Sequence, residues 1–164
     1  MRKFTYLLTV MLLTITLTSC STDSLDETAD YNVEALVIPE AKPIEIEILE
    51  LINQHRISIG LNVLVSHQLI KGQAFSHTDY MTDINEVNHD HFFTRKSFLV
   101  DNADAVKVSE NVAYGFSSAA SVVNAWLNSE GHRGNIEGDY TDFEISAELG
   151  ENNKWYFTNI FMKK

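Results

Sequence analysis

Three short stretches hold the side chains of this chain that can do chemistry. They are Asn88-His89-Asp90, Ser109-Glu110-Asn111-Val112-Ala113 and Trp126-Leu127-Asn128-Ser129-Glu130-Gly131-His132-Arg133-Gly134-Asn135-Ile136. Two imidazoles and a carboxylate can move protons near neutral pH or hold a divalent cation. His89 lies between Asn88 and Asp90, which is turn composition. Glu110 interrupts an otherwise apolar extended run, where a carboxylate must face water, pair or serve a site. His132 follows Gly131 just past a predicted helix end, where the backbone can turn sharply.

These residues support three kinds of chemistry. His89, Glu110 and His132 make a three-ligand set with an open position, suited to zinc foremost, with calcium or magnesium as alternatives. A hydrolase would use zinc to acidify water with Glu110 as base. It could instead use Ser129 or Ser109 as nucleophile, His132 as base and Glu110 or Glu130 to orient the imidazole. The third kind is a polar network that only stabilises the fold. No His-Glu-x-x-His helix and no Gly-x-Ser-x-Gly elbow occurs, so familiar hydrolase motifs are missing.

The elements that must position these groups are legible in the pattern. A helix is predicted from Pro43, a good first-turn residue, to Ile59, with Ile44, Ile48, Leu51, Ile52, His55 and Ile59 as its stripe and Gly60 as its stop. A second helix is predicted from an N-cap at Ser66 to Ile84, its stripe Ile70, Ala74, His77, Met81 and Ile84. His77 on that stripe reads as a buried, hydrogen-bonded histidine or as a group supporting the site from behind. A short helix follows over about residues 91–100. Val106–Tyr114 reads as extended, and Ser118 caps a helix reaching Asn128. After a loop over 131–138, Phe143–Leu149 and Trp155–Met162 alternate as strands joined at Glu151-Asn152-Asn153 in a hairpin. Trp126, Trp155, Phe157 and Phe161 fall on predicted buried faces and read as core. Helices first and a meander late, without strand–helix–strand alternation, predict an α+β fold.

Length and charge set the frame. The chain has 164 residues, enough for one domain. Arg2 and Lys3, the apolar run Phe4–Thr18 and Ser19-Cys20 read as a secretory leader over residues 1–19, too short and wrongly flanked for a membrane span. Leu17-Thr18-Ser19-Cys20 resembles a bacterial lipobox, which implies cleavage before Cys20 and lipid attached to it. Cys20 is the sole cysteine, so the fold has no internal disulfide. Residues 20–42 read as an acidic flexible tether, and its position after Cys20 suits a sorting signal towards an outer or surface membrane. The folded domain is then 43–164. The formal net charge is −11, and losing the leader's two cations makes it −13, which repels nucleic acid.

The motifs also carry a resemblance. Asn53, Arg56, Gly60-Leu61 and Leu64, then His77-Thr78-Asp79-Tyr80-Met81, Asn88-His89-Asp90, Glu110-Asn111-Val112-Ala113-Tyr114-Gly115, Gly131-His132-Arg133-Gly134-Asn135-Ile136 and Trp155–Phe161 occur in the order found in the CAP superfamily. That superfamily comprises cysteine-rich secretory proteins, antigen 5 and pathogenesis-related proteins, and is also called the SCP domain. The chain resembles its bacterial branch over about residues 46–162. The resemblance implies an α–β–α sandwich with a three-stranded antiparallel sheet and a His-Glu-Glu-His cavity. His89, Glu110 and His132 match three of the four places, while Ser129 stands at the fourth with Glu130 beside it. His77, Glu130 and Asn111 are then expected to support the site from behind. The function implied is a binding module for a lipid, peptide or protein partner at the cell envelope, with a divalent cation in the cavity; the alternative is a peptidase-like hydrolase.

Overall fold

The computed structural model describes residues 36–164. The expected leader over 1–19, the expected lipidation site Cys20 and the expected tether as far as residue 35 lie outside the described residues. Helix α1 (Pro43–Ser58) begins at the expected proline, and Glu45 accepts the Lys42 N–H at 2.7 Å. Gly60 leaves the helix end at φ 79°, a conformation that suits glycine. The inward face is Glu45, Ile48, Ile52 and Arg56. Arg56 therefore takes the place assigned to His55, and Ile59 is 48% exposed. A step of four from Ile52 reaches Arg56, and its guanidinium finds Asn62 O, Asn62 Oδ1, Ile136 O and Gly138 O.

Strand β1 (Val65–Ser66) uses the residue expected to cap the next helix. Helix α2 (Gln68–Ile84) therefore starts after His67. Ile70, Ala74, His77 and Met81 face inward as expected, while Ile84 is exposed in the last turn. Gly72 lets Leu36 lie against α2, since a Cβ there would come within 2.5 Å of that leucine. Helix α3 (Phe92–Ala103) follows His91, which adopts φ 58°. Strand β2 (Lys107–Tyr114) leads to α4 (Ala119–Leu127), whose N-cap Ser118 accepts the Ser121 N–H. A short helix α5 (Glu130–Ile136) occupies the expected loop, because Gly131 and Gly134 hide a helical turn from a propensity reading. Strands β3 (Asp142–Leu149) and β4 (Trp155–Lys163) form the hairpin.

The sheet runs β1-β3-β4-β2. β2, β4 and β3 form the expected three-stranded antiparallel core, and β1 adds a two-residue parallel fourth strand. Central β4 is buried on both faces, as a strand covered on both sides must be. On one face Phe143, Ile145, Ala147, Phe157 and Phe161 pack with Ile48 and Ile52 of α1 and Val122, Val123 and Trp126 of α4. On the other, Val108, Ile160 and Met162 pack with Ile70 and Ala74 of α2 and Phe98 and Leu99 of α3. This is an α–β–α sandwich.

Beyond β1 the outer edge of β3 is closed by an ion pair. Glu45 accepts the Ala147 N–H at 2.7 Å, and Lys71 donates to Ile145 O at 2.8 Å. The two side chains meet at 2.7 Å and are almost wholly buried. Together they supply the acceptor and donor that a neighbouring strand would supply, so the edge is not left open to pairing.

Candidate functional site

The site is built on β2, the other edge strand. Successive strand residues point to opposite faces, so Glu110 enters the α2–α3 layer and Asn111 the layer of α4 and α5. Glu110 is only 6% exposed. Arg95 of α3 grips it with two parallel bonds, Nε to Oε2 and Nη2 to Oε1, both 2.9 Å. The remaining arm of Arg95 donates to Asp90 O at 2.7 Å and so holds the loop that carries His89. His89 donates from Nδ1 to Glu110 Oε1 at 2.9 Å, while half its side chain stays exposed. A carboxylate buried in this way is stabilised by charge-assisted donors on both oxygens.

His77 approaches from α2. Its Nε2 lies 2.9 Å from Asn88 O, so that nitrogen carries the proton, and 3.9 Å from Glu110 Oε1. Burial lowers its pKa below the ordinary 6.5, and the Arg95 charge lowers it further, against the opposing pull of Glu110. Neutral His77 therefore supports the loop backbone from behind Glu110.

On the opposite face Asn111 donates to His132 O at 3.0 Å. Asn135 donates to Asn111 Oδ1 at 2.8 Å and to Glu110 O at 3.2 Å, stitching α5 to β2. The His132 ring meets Ser129 Oγ through Nδ1 at 2.8 Å. Ser129 is the N-cap of α5, yet its hydroxyl turns to the histidine and caps no backbone N–H. Burial lowers the His132 pKa, and the neighbouring His89 lowers it further. No bond between His132 and Glu110 is formed. Glu130 is exposed.

A cavity of about 260 Å³ opens along the β2 edge, lined by His89, Phe92, Val108, Ser109, Glu110 and Asn135. The structure thus brings His89 and Glu110 into contact, sets His77 behind them and places His132 with Ser129 and Asn111 around the strand edge. Arg95 escapes a sequence reading, and Asn135 enters it only as a motif position without a role. The one signal for Arg95 is its spacing: of the adjacent cations Arg95 and Lys96, Arg95 falls three residues after Phe92 and three before Phe98, on the apolar stripe of the helix. As they stand, these residues do not fit a divalent cation. Both Glu110 oxygens are bonded to Arg95, and among the described residues no group of three or more His, Cys, Asp or Glu is arranged to hold a metal.

Comparison with known proteins agrees with the fold and motifs. The model for the cysteine-rich secretory protein family, CAP, matches residues 49–160. The uncharacterized membrane protein YlbC of Bacillus subtilis is 32% identical over 124 residues, which are 73% of this chain and 34% of that protein. The uncharacterized protein YkwD of the same organism is 35% identical over 98 residues, 56% of this chain and 37% of that one. The chain therefore spans about a third of the length of these curated relatives. An extracellular protein of Bacillus anthracis containing an SCP domain superposes with TM-score 0.63 at 26% identity, covering 77% of this chain and 45% of that one. An outer surface protein of Borrelia burgdorferi superposes with TM-score 0.65 at 21% identity over 71% of this chain and 90% of that one, which shows a shared fold. Among the described residues no helix is long and apolar enough to cross a membrane.

Proposed function

This chain belongs to the cysteine-rich secretory protein family, CAP, and from that membership we propose that it is an exported binding module tethered to the cell envelope by lipid on Cys20. The family's bacterial relatives carry names such as membrane protein, outer surface protein and extracellular protein, which supports an envelope setting. The lipobox-like Leu17-Thr18-Ser19-Cys20 and the acidic run after it support the anchor.

One observation carries the binding reading: the Arg95 fork on Glu110. A guanidinium fork on a buried carboxylate holds both oxygens in place and supplies the positive charge that a metal or a proton would otherwise bring, which disfavours a general-base or metal-ligand role. Here the carboxylate instead locks α3 and the His89 loop against β2. What faces outward is the half-exposed His89 ring beside the 260 Å³ cavity. That is a rigid, preorganised surface for a lipid headgroup, peptide or protein. The test is a heteronuclear NMR screen of lipid, sterol and peptide libraries. A ligand that shifts the residues around His89 and is lost in His89→Ala, with the thermal midpoint unchanged, supports the reading. Ligands that ignore His89→Ala overturn it.

A second reading rests on the 2.8 Å contact between Ser129 Oγ and His132 Nδ1. That is the distance of a nucleophile–base pair. Its weakness is the third member: among the described residues no carboxylate bonds the His132 ring, and Glu130 is exposed. Turnover of fluorogenic peptides and esters that is abolished by Ser129→Ala and by His132→Ala would replace the binding reading with this one.

A further inference from the structure

A larger cavity, of about 490 Å³, lies between α1 and the β1–β3 edge. Ile46, Leu49 and Ile57 of α1 form one wall, with Leu64 and Phe143 opposite. Glu144 of β3 also lines it, although only 6% of that residue is exposed. Its carboxylate accepts the Ser66 hydroxyl and, at 3.2 Å, the Ile145 N–H. Both donors are neutral, and among the described residues no lysine, arginine or histidine lines the cavity. Lys71, a cation that acts on Glu144, is committed to Glu45 at 2.7 Å and to Ile145 O at 2.8 Å. Burial pushes the Glu144 carboxyl above its ordinary 4.5, and Glu45 pushes it further, with Ser66, Ile145 and Lys71 opposing. A buried acid opening on a cavity without a facing cation is short of counter-charge.

The surroundings select the kind of cation. Ile46 and Ile57 are 47% and 60% exposed at the rim, and neighbouring Val65 is 55% exposed. Apolar surface around the buried carboxylate of Glu144 suits a group with an apolar stem and a charged tip, which is the form of a lysine side chain. Anionic lipid headgroups and fatty acids are disfavoured, since Glu50 and Glu144 both line the cavity. The chain's own tether does not supply the cation: residues 4–41 contain no lysine or arginine, and Lys42 is paired with Glu148. A net charge of −11 steers a basic partner towards the molecule.

We infer that the α1–β1–β3 cavity receives a lysine of a partner polypeptide, its methylenes against Leu49, Ile57 and Phe143 and its ammonium on Glu144. This site is separate from the His89–Glu110 cavity and stands or falls without it. The test is titration of the whole chain with acetyl-Leu-Lys-Leu-amide and with the same peptide carrying norleucine for lysine, followed by amide shifts and calorimetry. The lysine peptide is expected to bind about tenfold more tightly or better, the worth of one charge-assisted hydrogen bond. Its shifts should fall on Ile46, Ile57 and Ser66. Glu144→Gln, which keeps an acceptor for Ser66, should erase the preference for lysine. Gln54→Trp fills the wall without touching Glu144 and should weaken binding of both peptides about tenfold. Equal affinity for the two peptides overturns the inference. So does a lysine preference that survives Glu144→Gln, wild-type binding by Gln54→Trp, or shifts confined to the His89 side.

Discussion

Arg95 holds Glu110 as a fork holds a bar: two parallel N–H···O bonds of 2.9 Å join a buried guanidinium to a buried carboxylate. A buried pair gains little net stability over an apolar substitute, because desolving both charges offsets their attraction. Removing one partner is different, since the other is left buried and uncompensated. Arg95→Met is therefore expected to destabilise the domain by about 3–5 kcal/mol in urea unfolding. The double variant Arg95→Met/Glu110→Leu should recover much of that loss. Additive losses in the double variant would show that the pair is not the unit acting there.

The same fork makes a prediction about metal. The guanidinium already supplies the positive charge that a cation would supply at Glu110. Zinc is therefore expected to leave the wild-type melting temperature unchanged, and to leave it equally unchanged in His132→Ala. Arg95→Met frees the carboxylate beside His89 and should gain a zinc-dependent rise in midpoint. A saturable zinc response in the wild type, lost in His132→Ala, would restore the three-ligand set of His89, Glu110 and His132.

Acid should loosen the loop that carries His89. His77 is held below its ordinary 6.5 by burial and by Arg95. The unfolded chain then takes up a proton before the folded one does as the pH falls. Stability is full above about pH 6.5 and falls as the pH drops towards the folded-state value. His67 and His132 shift in the same direction. Glu144 opposes them, because its raised pKa lowers stability as the pH rises through the range above 4.5. The contribution of His77 is isolated by His77→Gln, which keeps a donor for Asn88 O. Its unfolding free energy should decline less between about pH 7 and pH 5 than that of the wild type.

Export and anchoring are tested at Cys20. The chain made in a bacterial host should incorporate labelled palmitate and partition into detergent phase. Cys20→Ser should abolish the label and release the protein into the aqueous phase. Labelling that survives Cys20→Ser removes the anchor from the proposal.

What the sequence made legible follows from which forces are local. Pro43 and Ser118 each marked a helix start because capping is a matter of one turn, and the alternation of Phe143, Ile145 and Ala147 marked a strand because one face must be apolar. His89 and Glu110 were paired as sequence motifs, and their contact follows from β2 lying beside the α2–α3 loop. Other features depend on neighbours distant in sequence. β1 exists only because β3 offers an edge, so Val65-Ser66 gave no strand signal of its own. Arg56 turns inward because Ile136 and Gly138 present carbonyls 80 and 82 residues away. Arg95 reads as a surface cation until Glu110 is placed opposite it. The alternation that sends Glu110 and Asn111 to opposite faces also explains why His132 bonds Asn111 through its carbonyl and leaves the carboxylate to Arg95.

The ion pair at the other edge of the sheet gives the sharpest stability test. Glu45 accepts the Lys42 and Ala147 N–H groups and the Lys71 ammonium, all at 2.7 Å, and is fully buried. Glu45→Ala would therefore remove a helix N-terminal acceptor, orphan a strand N–H and strand a buried ammonium in one step. The last effect dominates, and the expected cost is about 3–5 kcal/mol. Glu45→Gln keeps an acceptor for Ala147 but loses the charge facing Lys71, so it should fall between wild type and alanine. Lys71→Met removes the cation instead and leaves Glu45 with its two N–H donors, which can hold a carboxylate, so its cost should be smaller than that of Glu45→Ala. If the edge plug also guards against strand pairing, Glu45→Ala should aggregate below its unfolding midpoint, while Lys71→Met should not, because the Ala147 N–H stays covered. Light scattering during the melt separates the two, and equal aggregation of both variants would show that the pair stabilises the fold without protecting its edge.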